Sequence, residues 1–110
     1  PKLKREMYQI NWEIDSVHIH NQIRAFSPIP GAFSTFLGRR LKLYNSDISD
    51  TKNLKPGQFK IIENNLIIGT GAYDIIVKSV QLEGKNKMPV SDFYKGIINK
   101  IEGKEIILGK

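Results

Sequence analysis

Turn-forming residues recur at short intervals between residues 32 and 82, and this spacing constrains the fold more than any other feature of the sequence. The turn signals are Gly38-Arg39, Pro56-Gly57, Asn64-Asn65 and Gly69-Thr70-Gly71. Glycine and asparagine accept left-handed backbone angles, and proline presets one angle of a turn. The apolar stretches left between these signals are too short for ordinary helices, so they predict β-strands.

The predicted strands cover residues 32–37, 40–48, 58–63, 66–68 and 73–82, followed by a short last strand at 105–108. In the second of them, Leu41 and Leu43 are set off by Arg40 and Lys42. Apolar and polar residues that alternate in this way indicate a strand with one buried face. Several short strands separated by close turns are typical of a small, partly open β-barrel.

A first helix is predicted before the strands. Asp15 or Ser16 can cap its start, because a side-chain oxygen there accepts a bond from a backbone N–H of the first turn. Its apolar face repeats at helical spacing and consists of Ile19, Ile23 and Phe26. Pro28 disfavours helical backbone angles at Ser27, so the helix should end there.

A second helix is predicted after the loop formed by residues 84–87. Pro89 fits its first turn, where the missing N–H would be unsatisfied in any case. The apolar face of this helix consists of Phe93, Ile97 and Ile101. Gly103 should close the helix.

The chain has 110 residues, which is the size of one domain. It holds no cysteine, which excludes disulfides and thiolate chemistry and fits a reducing cytoplasm. No apolar run approaches the ~18 residues of a membrane span. The charged N-terminus is not followed by an apolar segment, so it does not have the pattern of a signal peptide. Residues 1–13 are charged and aperiodic, which predicts a linker; the start at Pro1 suggests an excised segment.

The formal net charge is +6 and the isoelectric point is near 9.6. Such a charge is typical both of proteins that bind polyanions and of basic proteins that bind none. Basic residues cluster on the first hairpin, in the later loop and in the linker: Arg39, Arg40 and Lys42; Lys85 and Lys87; Lys2, Lys4 and Arg5. Clusters at hairpin and loop tips favour contact with a phosphate backbone over base recognition. The alternative is that they only solvate the surface.

No residues stand at the spacing of a catalytic or metal site. His18 and His20 are two residues apart, so on a helix they point to different faces and cannot chelate one ion together. The carboxylates are scattered, and no pair is arranged for acid–base catalysis. A strand-like segment follows Gly69-Thr70-Gly71, which favours a turn over a phosphate-binding loop, because such a loop leads into a helix.

Several collinear segments resemble the C-terminal domain of methionyl-tRNA formyltransferases. They are PKL at 1–3, INW at 10–12, IRAFSPIPGAF at 23–33, RLKLY at 40–44, LKPGQF at 54–59, IIGTGAYDI at 67–75 and VQLEGKNKMPVSDFYKG at 80–96. The match covers almost the whole chain. The sequence departs from the family pattern at Ile29, where the family often has tryptophan, and at Pro89, where the family commonly has a small capping residue. Sugar formyltransferases of the same architecture are less similar at 80–88.

The resemblance implies a mainly β domain: a small open, OB-like Greek-key β-barrel with an N-terminal and a C-terminal helix. Residues 14–110 would form this barrel, and residues 1–13 the linker from an N-terminal catalytic domain. That catalytic domain would bind 10-formyltetrahydrofolate and hold the catalytic residues. The barrel, expected to be monomeric, cytoplasmic and without a cofactor, would contact initiator methionyl-tRNA.

Two alternatives stay open: an accessory domain of a sugar-nucleotide formyltransferase without RNA contact, and a stand-alone oligonucleotide-binding barrel. One further residue is a structural candidate. Arg24 lies beside the apolar face of the first helix, where it could anchor the helix end or an interdomain seam through charge-assisted bonds. A solvated arginine is the alternative.

Overall fold

The computed structural model describes residues 8–27, 31–101 and 106–109. Its elements, in chain order, are α1 (Ser16–Phe26), β1 (Phe33–Phe36), β2 (Arg39–Ile48), β3 (Phe59–Ile62), β4 (Asn65–Ile68), β5 (Ile75–Leu82), β6 (Met88–Pro89) and α2 (Val90–Ile101). Within these described ranges, neither helix has the length and apolar character needed to cross a membrane.

The strands form one antiparallel sheet in the order β1-β2-β5-β4-β3, and the short β6 pairs with β5. Strands β5, β4 and β3 are consecutive neighbours, and β2 reaches its place beside β5 through the long connection 49–58. This spatial order is a Greek key. The sheet curves into a half-barrel with one helix before it and one after it, which confirms the predicted fold class.

Two hairpin turns lie one residue before their predicted positions. The β1–β2 turn is formed by Leu37 and Gly38, and the β3–β4 turn by Glu63 and Asn64. All four residues have positive φ, which matches the twist of two-residue hairpins. The shift arises because the strand ladders continue up to the turns: Arg39 still pairs with β1.

Strand β5 begins at Ile75 rather than at residue 73, because Asp74 belongs to a buried connection. The Asp74 carboxylate is fully buried and accepts bonds from the Thr51 hydroxyl at 3.2 Å and from the N–H groups of Asn53 and Leu54 at 3.0 and 3.3 Å. A buried carboxylate needs such donors to replace its lost hydration. Asp74 therefore fastens the 49–58 connection to the sheet.

The segment Gly69-Thr70-Gly71 turns the chain between β4 and β5, as predicted. The N–H of Gly71 donates to the carbonyl of Ile14 at 2.9 Å. A β-carbon on Gly71 would collide with the backbone carbonyl of Glu13. Glycine is thus required here by the close approach of two backbones, which is a packing role.

Helix α1 has the predicted bounds. Asp15 is its N-cap, and the Asp15 carboxylate accepts a bond from the N–H of His18 at 2.9 Å. Ile19 and Ile23 are buried on one face, and Phe26 is half-buried. The helix packs against β2 through its apolar face.

Helix α2 begins at Val90, one residue after the predicted start, because Pro89 belongs to β6 and pairs there with Ser79 of β5. Phe93 and Ile97 are buried against the sheet, as the helical spacing predicted. The predicted end of this helix at Gly103 lies outside the described residues. Of the predicted strand at 105–108, the described part makes an isolated bridge between Ile107 and Gln58.

Part of the predicted linker is packed into the barrel. The N–H of Ile10 donates to the carbonyl of Phe33 at 2.8 Å, and the indole N–H of Trp12 donates to the Ser34 hydroxyl at 2.8 Å. Both Ile10 and Trp12 are buried in the core. The indole is large and apolar, and its one polar atom finds a partner, so it packs at low cost. Residues 1–7 lie outside the described part.

Candidate nucleic-acid interface

The outer face of β2 carries two of the predicted site residues. The chain neighbours of Lys42 are both leucines, and both are fully buried in the core. Side chains alternate along a strand, so Arg40 and Lys42 face away from the core. Lys42 pairs with Phe33 of β1 and with Gln81 of β5, and residues directly opposite each other share a face.

Glu83 joins the first hairpin to the end of β5. Its carboxylate accepts a bond from the N–H of Arg40 at 3.0 Å, and its own N–H donates to the Arg40 carbonyl at 2.8 Å. Its carbonyl accepts a bond from the Arg39 guanidinium. The Arg40 guanidinium lies 4.8 Å from the centre of the buried Phe33 ring. The Arg39 guanidinium is therefore held beside the start of the 84–87 loop, whereas the Arg40 guanidinium lies over Phe33 of β1.

The loop itself is fastened to the same face. The N–H of Lys85 donates to the Leu82 carbonyl at 2.9 Å, and the Lys85 carbonyl accepts a bond from the Gln81 amide at 3.0 Å. The Lys87 ammonium lies 4.5 Å from the centre of the Tyr44 ring. Tyr44 is buried, and this desolvation raises the pKa of its hydroxyl above the ordinary value of 10.0.

Two of the three predicted basic clusters thus meet on one surface. We call this surface the basic face; it consists of Arg39, Arg40, Lys42, Lys85 and Lys87. An open groove runs between the hairpin and the start of the loop and is lined by three of these cations together with Gln81, Glu83 and Gly84. The third predicted cluster, Lys2, Lys4 and Arg5, lies outside the described residues.

Gly31 shapes the edge of the basic face. It has a φ of +87°, and a β-carbon there would stand 2.8 Å from the Tyr44 hydroxyl oxygen and 3.0 Å from Cδ of Lys42. Only glycine fits this combination of backbone angle and contact without strain. The segment that enters β1 can therefore lie directly against Lys42 and Tyr44.

Arg24 is exposed and lies beside a shallow hollow that His20, Asn45 and Ser46 also line. Among the residues that the structure describes, no hydrogen bond or ion pair to its guanidinium is found. The predicted anchor of the helix end therefore has no partner within that part of the chain. A contact across an interdomain seam stays a prediction.

The histidines take part in local structure. His18 Nδ1 lies 3.1 Å from the Asp15 carboxylate, whose pKa is lowered first by the bond from the His18 N–H and then by the His18 side chain. His20 Nδ1 lies 2.7 Å from the Ser46 hydroxyl and ties α1 to β2. Within 8–27, 31–101 and 106–109, no three His, Asp or Glu side chains converge as a metal site would require.

Gln81 and Glu83 organise the basic face, yet the sequence did not single them out for it. Gln81 is one of several polar residues in a strand, and Glu83 is one of the carboxylates scattered along the sequence. No local sequence pattern marks these two residues, because Gln81 comes to lie opposite Lys42 only when β2 pairs with β5.

Comparisons with known proteins agree with this architecture. The solved structure of a HypX variant from Aquifex aeolicus superposes with a TM-score of 0.78 over 96% of this chain and 19% of its own, at 22% sequence identity. HypX from the same organism in complex with tetrahydrofolic acid also gives 0.78, over 94% of this chain, at 22% identity. At this identity the likeness establishes the fold.

Curated relatives with the name methionyl-tRNA formyltransferase match at higher identity. The protein from Geobacter sulfurreducens is 32% identical over 97 residues, which cover 87% of this chain and 30% of the relative. The protein from Staphylococcus epidermidis is 35% identical over 107 residues, which cover 96% of this chain and 34% of the relative. The chain thus spans about a third of the length of these relatives.

The family model described as "Formyl transferase, C-terminal domain" matches residues 2–97. This range includes α1, every strand of the sheet and most of α2. It also includes all residues of the basic face. The resemblance expected from the sequence is confirmed, and the chain belongs to the family of formyl transferase C-terminal domains.

Proposed function

We propose that this chain is the tRNA-contacting domain of a methionyl-tRNA formyltransferase. The observation that carries the proposal is the contact between the first hairpin and the 84–87 loop: three cations line the groove beside the hairpin, and the Lys87 ammonium lies over Tyr44 of the same strand β2. The names of the curated relatives support methionyl-tRNA as the substrate of the whole protein. A net charge of +6 gives the domain the sign that attracts a polyanion.

The chemistry of the basic face suits phosphates rather than base edges. Lysine is a compact, mobile charge, and each phosphate that it neutralises releases a condensed counterion from the nucleic acid. Two amide side chains lie among the cations, Gln81 and Asn86, and Gln81 is engaged with the loop carbonyl. Binding should therefore depend on backbone shape and charge, and little on sequence.

In this proposal the whole enzyme moves a formyl group from 10-formyltetrahydrofolate to the amino group of methionine on initiator tRNA. Of the buried polar side chains, Ser34, Thr70 and Asp74 are bonded within the chain, so they offer no free group to the folate. The folate and the chemistry would belong to an N-terminal catalytic domain. The barrel would hold the tRNA so that its acceptor end reaches that domain in a cytoplasmic, monomeric enzyme.

The test is a salt titration of tRNA binding by the full chain, with initiator and elongator tRNA. The variant Lys85→Ala with Lys87→Ala should bind both tRNAs more weakly. Its log–log salt slope should fall by roughly one unit for each phosphate that is no longer neutralised. The matched control is Lys60→Ala with Lys95→Ala, which removes the same charge from exposed positions on β3 and α2.

Three results would contradict the proposal or its mechanism. An equal loss of affinity in the control pair would mean that net charge alone drives binding. Absence of tRNA binding by the wild-type chain would favour the sugar-nucleotide alternative, in which the domain contacts no RNA. A loss confined to initiator tRNA would mean that the loop recognises identity rather than phosphates.

A further inference from the structure

Gln81 makes a contact that crosses from the sheet to the 84–87 loop. Its amide nitrogen donates to the Lys85 carbonyl at 3.0 Å, and its amide oxygen lies 3.5 Å from the Tyr44 hydroxyl. It also stands directly opposite Lys42 in the pairing of β2 and β5. One neutral side chain thus bonds the loop backbone and lies beside the hydroxyl of Tyr44, whose ring is beneath Lys87, on the same face of the sheet as Lys42.

The loop has few other attachments in the described structure. Lys85, Asn86 and Lys87 are all exposed. Besides the Gln81 bond, the described attachments of the loop are the turn bond from the Lys85 N–H to the Leu82 carbonyl and the contact of Lys87 with the Tyr44 ring. A loop that is free before binding must lose conformational entropy when it binds, and this cost lowers affinity. A side-chain bond to the loop carbonyl removes part of that cost in advance.

We propose that Gln81 is a positioning residue for the polyanion site: it holds the Lys85 carbonyl so that the Lys85 and Lys87 ammonium groups are arranged before the phosphates arrive. The proposal rests on the proposed function, since it concerns the same basic face. Gln81 itself carries no charge and so adds nothing to counterion release. Its contribution is to affinity through the loop.

The decisive variant is Gln81→Met, which keeps the length of the side chain and removes both polar atoms. Gln58→Met is the matched control, because the Gln58 amide oxygen accepts a loop bond from the N–H of Lys55 at 3.0 Å, in a different loop. Both variants are measured in the full chain for tRNA affinity, salt slope and melting temperature. Amide hydrogen exchange is measured at residues 84–87.

Gln81→Met should weaken tRNA binding about 3- to 10-fold, the size of the one net hydrogen bond that no longer orders the loop before binding. The salt slope should stay near that of the wild type, because the cations remain. Exchange at 84–87 should accelerate. In the background of Lys85→Ala with Lys87→Ala, Gln81→Met should have no further effect on affinity. Gln58→Met should leave tRNA affinity unchanged.

Unchanged affinity and exchange in Gln81→Met would overturn the positioning role and leave the proposed function standing. An equal loss of affinity in the background of Lys85→Ala with Lys87→Ala would show that Gln81 acts on stability rather than through the loop lysines. That result would also overturn the positioning role. If the wild-type chain binds no tRNA, the proposed function fails, and the positioning role for a polyanion fails with it. These outcomes separate the two proposals.

Discussion

The ammonium nitrogen of Lys87 lies 4.5 Å from the centre of the Tyr44 ring, so a residue of the loop rests on a residue of β2. The aromatic face attracts a cation electrostatically, which is worth about 0.5–1 kcal/mol at exposed sites. This contact holds the end of the loop against the sheet. It also gives Tyr44, which is buried in the structure, a role at the surface.

Two replacements of Tyr44 should distinguish the contribution of its ring to tRNA binding from that of its hydroxyl. Tyr44→Phe keeps the ring beneath Lys87, so tRNA affinity should stay near that of the wild type. Tyr44→Leu removes the ring, so affinity should fall and stability should drop by roughly 1–3 kcal/mol. Binding titrations and urea denaturation of both variants measure this. If Tyr44→Phe weakens binding as much as Tyr44→Leu, the hydroxyl rather than the ring supports the site.

Gly31→Ala should destabilise the fold by roughly 1–2 kcal/mol. The cause is the positive φ, reinforced by the contact of a β-carbon with the Tyr44 hydroxyl. Gly96→Ala is the control: Gly96 lies within α2, and a β-carbon there meets nothing within 4 Å. It should stabilise the chain by about 0.5–1 kcal/mol. Chemical denaturation gives both values, and a neutral Gly31→Ala would refute the assigned strain.

Trp12→Phe should lower the free energy of unfolding by more than the loss of buried apolar area accounts for, because it leaves the buried Ser34 hydroxyl without its indole donor. An unpaired buried polar group costs roughly 1–3 kcal/mol. The double variant with Ser34→Ala should therefore be less destabilised than the sum of the two single variants. A double-mutant cycle by thermal unfolding measures the difference. Strict additivity would mean that the bond contributes nothing.

The folded state should lose stability at acidic pH when the carboxylate of Asp15 becomes protonated. The folded-state pKa of Asp15 is lowered below its ordinary value of 3.8 by the bond from the His18 N–H. The unfolded chain then binds more protons, so this contribution is present above the unfolded value of 3.8 and is lost as the pH falls through the folded pKa. Asp15→Asn should keep the cap and remove this acid step. Melting curves from neutral to acidic pH that coincide in shape for both proteins would contradict it.

Arg24→Ala should change the stability of this chain by less than about 0.5 kcal/mol, because the exposed guanidinium has no partner in the described residues. Calorimetry of the chain tests this half of the prediction. The other half concerns the intact enzyme, where a seam contact would make the same variant less active. Unchanged melting and unchanged activity together would leave Arg24 as a solvated side chain.

Local sequence determined several elements because their signals act within a few residues. Asp15 caps α1, and the spacing of Ile19 and Ile23 sets its buried face. Turn residues cut the apolar segments into strands of nearly the observed bounds. The basic residues of the hairpin and of the loop were likewise visible as two clusters. All of these features depend on backbone preference or on periodicity.

Tertiary structure decided where those clusters lie relative to one another. The hairpin and the loop are more than 40 residues apart, and only the pairing of β2 with β5 sets Lys42 beside Gln81 and brings Lys87 over Tyr44. The strand ladders likewise placed both hairpin turns one residue earlier than predicted. The register of a sheet is fixed by the burial of a whole face at once, and no single segment contains that information.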